Sequence, residues 1–213
     1  MKNCRMALIT PAPVRASAAR RPRRLAGLLL TVCVFGLLGG CAMPSFLSFK
    51  GDKVTWDELT LAAWVRLDQV PHAINSLLHT NDWGQPGQVH WMVAENQRMR
   101  LAVFDVRCVD PSIYMYPQSS RLVTAATGRW THLATVYDAN RRIARFYIDG
   151  EFDNEVALLA SVPAVLGPGR VGNWNRKERI LSGRMDELVL LKRALSDAEI
   201  HALFEAGNPY AER

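Results

Sequence analysis

The sequence predicts an all-β protein, an antiparallel sandwich of the jellyroll kind with one short helix near its carboxyl end. Three observations carry that expectation. Short apolar-polar alternating segments recur at intervals of about 8–12 residues, separated by Gly, Pro, Asn and Asp. Asp149-Gly150 lies between two such segments, and glycine accepts the positive φ that a tight hairpin requires. The single helical signal, Ser196 to Gly207, begins with a capping box and ends on a glycine.

Taken in order, Phe49–Val54 reads as a first strand with a Gly51-Asp52 bend. Leu59–Leu67 alternates, with Leu61, Ala63, Val65 and Leu67 in one phase, and Pro71 ends it. Ile74–His79 and Gln88–Ala94 flank a loop running from Asn81 to Gly87, and Arg98–Val106 follows. A polar, aromatic excursion occupies Asp110–Ser120. Trp130–Tyr137, Arg142–Ile148 and Glu151–Leu158 form successive hairpins. The Gly167-Pro168-Gly169 turn leads to Val171–Trp174, and Gly183–Lys192 is the last strand, with Met185, Glu187, Val189 and Leu191 in one phase. In the helix, Ser196 caps, Glu199 reaches back, and Ile200, Leu203 and Phe204 share a face suited to packing on the sandwich.

The formal charge of +6 is unevenly spread. Lys2, Arg5, Arg15, Arg20, Arg21, Arg23 and Arg24 lie ahead of an apolar run, Leu25–Leu38, and no acidic residue occurs before Asp52. With those seven set aside, 19 basic residues face 20 acidic ones. The basic character belongs to the leader, which argues against nucleic-acid binding. The apolar run is shorter than the ~20 residues of a membrane-spanning helix and suits a signal peptide. Leu38-Gly39-Gly40-Cys41 resembles a bacterial lipobox, which implies lipidation of Cys41 and, with Ala42 following, an outer-membrane location facing the periplasm or the surface. The alternative is an ordinary signal peptide or an uncleaved signal anchor. The expected organisation is residues 1–40 as signal peptide, 41–46 as a short tether and 47–210 as one domain. Cys4 and Cys33 fall in the leader, so Cys108 is left without a disulfide partner and is expected to be a small buried side chain.

The segments Gly128-Arg129-Trp130-Thr131-His132-Leu133-Ala134, Tyr147-Ile148-Asp149-Gly150, Gly183-Arg184-Met185-Asp186-Glu187 and Arg193-Ala194-Leu195-Ser196, in this order, resemble the laminin-G-like, concanavalin-A-like jellyroll family. The resemblance runs from about Phe49 to Gly207. It implies a recognition module for a glycan or an envelope protein. Sugars stack on aromatic planes, so Trp83, Trp91, Trp174, Tyr114 and Tyr116 are candidates, with Trp83 and Trp174 framed by Asn81, Asp82, Asn173 and Asn175. The bland alternative is that these rings plug the rim of the sandwich.

Three further readings concern chemistry. Glu151, Asp153 and Glu155 have the Glu-x-Asp-x-Glu spacing of β-glucan hydrolases on this fold, and period two would put them on one face. Because they follow the Asp149-Gly150 turn, with Phe152 and Val156 in the core phase, they are expected to face water. His132 is expected to be a hydrogen-bonded interior histidine, since the other histidines are scattered and show no metal-ligand spacing. Trp64 and Trp130 are expected between the sheets. For Asp186 a buried carboxylate tying the first and last strands competes with a calcium site, which would need Asp52, Asp57 and backbone carbonyls to converge. No cofactor beyond that calcium is expected. The resulting reading is an exported, lipid-anchored, non-catalytic binding module. The alternatives are a structural or protein-interaction domain of an envelope assembly and, third, a β-glycan hydrolase.

Overall fold

The computed structural model describes residues 30–32, 47–51, 53–81, 83–105, 116–123, 128–175 and 177–207. Asp82, Cys108, Tyr114 and the lipobox around Cys41 lie outside the described residues.

Among the described residues thirteen strands and one helix follow in chain order: β1 Leu30–Val32, β2 Leu47–Phe49, β3 Thr55–Trp56, β4 Glu58–Gln69, β5 Ile74–Thr80, β6 Val89–Ala94, β7 Met99–Val103, β8 Thr131–Asp138, β9 Ile143–Ile148, β10 Glu151–Ala157, β11 Ala164–Val165, β12 Gly169–Val171, β13 Ser182–Leu191 and α1 Asp197–Ala206. A six-stranded sheet has the order β1-β13-β4-β8-β9-β10, and a five-stranded sheet the order β2-β12-β5-β6-β7. All their pairings are antiparallel. β11 and β3 form a small ladder of their own. Three residues of the apolar leader run, as β1, extend the larger sheet beyond β13.

The core lies between the two large sheets. Leu59, Leu61, Ala63 and Val65 of β4 meet Val89, Trp91 and Val93 of β6, with Phe146, Leu188 and Leu190 among them. Side chains of this size contribute about 1.5–3 kcal/mol each on full burial. Trp91, one of the aromatic binding candidates, is fully buried here, and its indole N–H donates to Thr135 Oγ1 at 3.0 Å. It is a core residue because its strand phase is that of Val89 and Val93.

A second, smaller apolar cluster covers the other face of the larger sheet. Ala62, Ala134, Val136 and Tyr147 point outward from it and are covered by Leu195 and Ile200. The helix is laid down as its sequence dictates. Ser196 caps it through a full capping box with Glu199, and Gly207 donates its N–H to Leu203 O at 3.1 Å. The Tyr147 hydroxyl, whose pKa burial pushes up, donates to Asp197 at 2.8 Å and ties the helix start to β9.

Several expectations need correction. Trp64 is buried, but its phase is that of Ala62, so it sits under the helix, stacked on Phe204 at 5.3 Å and beside His132 at 5.4 Å. Trp130 precedes β8 and is half-buried, outside both clusters. The single phase expected for Met185, Glu187, Val189 and Leu191 is broken by a bulge between Asp186 and Val189, where Glu187 has φ +49°. The bulge swaps the phases: Met185, Leu188 and Leu190 face the main core, while Val189 and Leu191 pack under the helix.

Candidate functional site

The outer face of the five-stranded sheet carries a row of polar side chains that crosses four strands. Ser48 of β2 pairs with Arg170 of β12, Arg170 with His79 of β5, and His79 with His90 of β6. His90 and Met92 take this face because Val89, Trp91 and Val93 take the other. On β5 strict alternation would give Leu77 and His79 the same face. A bulge between Ser76 and Leu78 turns both Leu77 and Leu78 into the core, which leaves Ser76 and His79 together outside. Ser76 Oγ then lies 2.8 Å from His90 Nε2.

The two imidazoles are buried and touch, with ring centroids 4.1 Å apart. Burial holds both of them neutral: it pushes the His79 pKa down to about 4 and that of His90 well below the usual histidine value. His79 Nδ1 donates to the Thr80 carbonyl at 2.5 Å, so Nε2 carries the lone pair, and it has no partner among the described residues.

Two loops bring tryptophans onto this pair. Trp83 stands 5.4 Å from His79 and 6.0 Å from His90, with Phe104 edge-on at 5.5 Å. Its loop is pinned at both ends: Asn81 N–H donates to Pro168 O at 2.6 Å, and Thr80 Oγ1 accepts from Val89 N–H at 2.9 Å. Gly87 closes it at φ +86°, in a place where a side chain would meet Pro163 O and Val165. Trp174 packs against the same histidine, 5.8 Å away. It opens a tight turn in which Asn175, at φ +50°, accepts from the backbone N–H groups of Lys177 and Glu178. Arg179 leaves that turn with its guanidinium 4.6 Å from the Trp174 ring centre, and its carbonyl accepts from Ser76 N–H at 2.9 Å. The turn is thereby fixed to β5.

Of the residues singled out from sequence, Trp83 and Trp174 converge on this histidine pair, and both are half-buried. Asn81 serves the loop through its backbone. Asn173 is buried, and its side chain donates to Val171 O at 3.1 Å, so it holds the chain leaving β12. Tyr116 is half-buried in the segment before β8. His79, His90, Arg170 and Arg179 were not among the candidates, and the histidines that look scattered in sequence are neighbours in space. Their legible trace is His90 alternating with Val89, Trp91 and Val93. The bulge on β5 conceals the other half.

The acidic triplet does not form one face. A bulge between Phe152 and Asn154 takes Asp153 out of the alternation. Its carboxylate is buried, accepting from Ser120 N–H at 2.6 Å and from Arg121 N–H and Nε–H, each at 3.1 Å. Glu151 is exposed and pairs with Arg121 at 3.3 Å, while Glu155 pairs with Arg145 at 2.6 Å. Phe152, expected in the core phase, is half-exposed and lies edge-on to Tyr147 at 5.7 Å. With Glu151 and Asp153 sharing Arg121 and Glu155 held by Arg145, the three carboxylates are engaged in ion pairs rather than arranged as a nucleophile and an acid. His132 is buried as expected, but its Nδ1 has no hydrogen-bond partner among the described residues, and burial lowers its pKa to about 4. Asp186 is exposed rather than buried and accepts only the next residue's N–H, at 2.9 Å. Among the described residues no group of three metal-ligating side chains is close enough to hold an ion.

A two-sheet sandwich, with one outer face capped by a helix and the other carrying aromatic and polar side chains, is the architecture of a lectin-like jellyroll. The profile of the concanavalin A-like lectin/glucanases superfamily of laminin-G type matches residues 45–201, and the chain belongs to that family. Solved structures agree on the fold. A heptameric SAP-like pentraxin from Limulus polyphemus matches with a TM-score of 0.57 at 14% identity, over 80% of this chain and 81% of that one. Domain 4 of AbnA, an extracellular arabinanase from Geobacillus stearothermophilus solved with arabinotriose, matches with a TM-score of 0.55 at 17% identity, over 73% and 70%. The CBM40 of the Ruminococcus gnavus IT-sialidase, solved with α2,3-sialyllactose, matches with a TM-score of 0.52 at 15% identity, over 74% and 97%. The chain spans only 43% of one matched protein from Bacteroides ovatus ATCC 8483 and 24% of the NanB sialidase from Streptococcus pneumoniae. No match to a curated protein sequence was found.

Proposed function

We propose that this protein is an exported, lipid-anchored and non-catalytic module that binds a glycan on the outer face of its five-stranded sheet. One observation carries the reading: Trp83 and Trp174, supplied by different loops, both pack against buried His79, whose ring touches that of His90. Half-exposed indoles held by fixed loops suit stacking on a sugar ring, because the ordering entropy is already spent in the free protein. The opposite outer face offers nothing comparable, since the helix covers it. The similarity to carbohydrate-binding modules supports the same reading. Cys41 would carry the lipid, placing the module close to the outer membrane on its periplasmic or surface side. No cofactor is part of the proposal, and calcium should leave binding unchanged.

A glycan array probed with the purified protein tests the binding. Binding that Trp83→Ala and Trp174→Ala each reduce at least tenfold supports it. Silence on the array together with capture of an envelope protein would transfer the chain to the interaction class. Membrane fractionation of Cys41→Ser tests the anchor, and an unchanged membrane-bound fraction would refute it.

A further inference from the structure

We propose that the ligand of this face carries an anionic group, a carboxylate or a sulfate or phosphate ester on the sugar, and that Arg170 and Arg179 hold it. The inference rests on the glycan reading and narrows it. Arg170 is the cross-strand neighbour of His79 on the outer face, and the Arg179 guanidinium sits over the Trp174 ring. Both are half-exposed. Arg66, Arg121, Arg129, Arg145 and Arg193 each have a carboxylate within ion-pair distance. Neither Arg170 nor Arg179 has one among the described residues, nor have Arg98, Arg100, Arg141, Arg142 and Arg184; what sets Arg170 and Arg179 apart is their place beside His79 and Trp174. Glu178, in the same turn as Arg179, is exposed and pairs with neither.

The electrostatics of the floor agree. Beyond burial and the Thr80 carbonyl, the groups that act on the two histidines are Arg179, Arg170 and, for His90, the other histidine. All of these push against a proton, and no carboxylate among the described residues offsets them. The rings therefore stay neutral, with two guanidiniums beside them that have no carboxylate partner among the described residues. A guanidinium is a planar fork that matches a carboxylate or a sulfo or phospho group through paired hydrogen bonds, which are about twice as strong as neutral ones. The contact with the Trp174 ring, 4.6 Å from the guanidinium carbon to the ring centre, holds the Arg179 charge beside the indole before ligand arrives. A neutral sugar would leave both charges with water alone; an anionic one would satisfy them.

The test is an array of the full-length protein against acidic glycans, each paired with its neutral derivative. Uronic-acid and sialic-acid oligosaccharides stand beside their methyl esters, and sulfated and phosphorylated sugars beside the stripped forms. The expected result is binding to acidic members with at least a tenfold loss in the neutral partner. Arg179→Gln and Arg170→Gln should each reduce affinity at least tenfold at unchanged Tm, and Arg179→Lys should recover part of it. Whether the ester or the stripped arm loses binding identifies the anion. Equal binding of both members of every pair, unaffected by the arginine variants, would overturn this inference and leave the glycan reading standing. Silence across the whole array would remove both.

Discussion

The two outer faces of the sandwich are built from the same kind of strand and are used in opposite ways. On the six-stranded sheet the outward residues include Ala62, Ala134, Val136 and Tyr147, and Leu195 and Ile200 cover them. On the five-stranded sheet they include Arg170, His79, His90 and Ser76, the last three buried, with Trp83 and Trp174 packed against His79. Each face buries a histidine kept neutral by loss of water, yet the contexts differ. His132 is wedged between Trp64 and Phe204 beneath a helix, whereas His79 and His90 floor a surface rimmed by arginine. Burial of a polar group is thus no guide to function until what covers it is known.

The contrast can be broken from either side. The largest effect should come from Ile200→Ala, which empties the centre of the helix contact and should cost about 2–5 kcal/mol in denaturant unfolding without changing ligand affinity. A loss of binding in that variant would mean that the two faces are coupled. Trp174→Ala should do the reverse, costing about 2 kcal/mol of binding, or roughly thirtyfold in Kd, with a small change in Tm.

Acid should weaken the fold through both faces. The folded-state pKa of His79 and of His132 is lowered to about 4, and that of His90 is lowered as well. The unfolded chain titrates these groups near pH 6.5, so between roughly pH 6.5 and 4 it binds protons that the folded chain does not. Stability is then complete above pH 6.5 and falls as the pH drops through this window. Urea midpoints at pH 7.5, 6 and 5 should decline in order, and His132→Phe should flatten the decline while sparing ligand binding. Ser196→Ala should cost about 1 kcal/mol through loss of the helix cap. Smallest of all, Glu155→Gln should change stability by about 0–1 kcal/mol, as expected of a partly exposed pair, and should leave binding intact.

Much of this architecture is written in the chain, and its gaps have a common cause. The hairpins, the capped helix and the core phases of β4 and β6 follow from local patterning, which is why Leu59–Leu67 and Ser196–Gly207 fold as their sequences imply. What escapes is every place where a strand slips by one residue. Bulges at 76–78, 152–154 and 186–189 each exchange inside for outside. One of them brings His79 beside His90, another withdraws Asp153 from its acidic neighbours, and the third turns Leu188 inward. Trp83 and Trp174 were legible as exposed aromatics among turn residues. Their meeting point was not, because cross-strand register is a property of pairs of strands.

The withdrawn Asp153 has an effect beyond spoiling a carboxylate triad. By holding Ser120 and Arg121 to β10, while Leu101 N–H and Arg100 engage Pro117 and Gln118 beside β7, it stitches the two sheets together along one flank. Unsealed strand margins invite a neighbouring copy to add on, and proteins blunt them by covering or shortening them. Here one flank is covered, and the described margin of the five-stranded sheet opposite is the three-residue β2. A flank closed in this way resists the addition of a second copy along it.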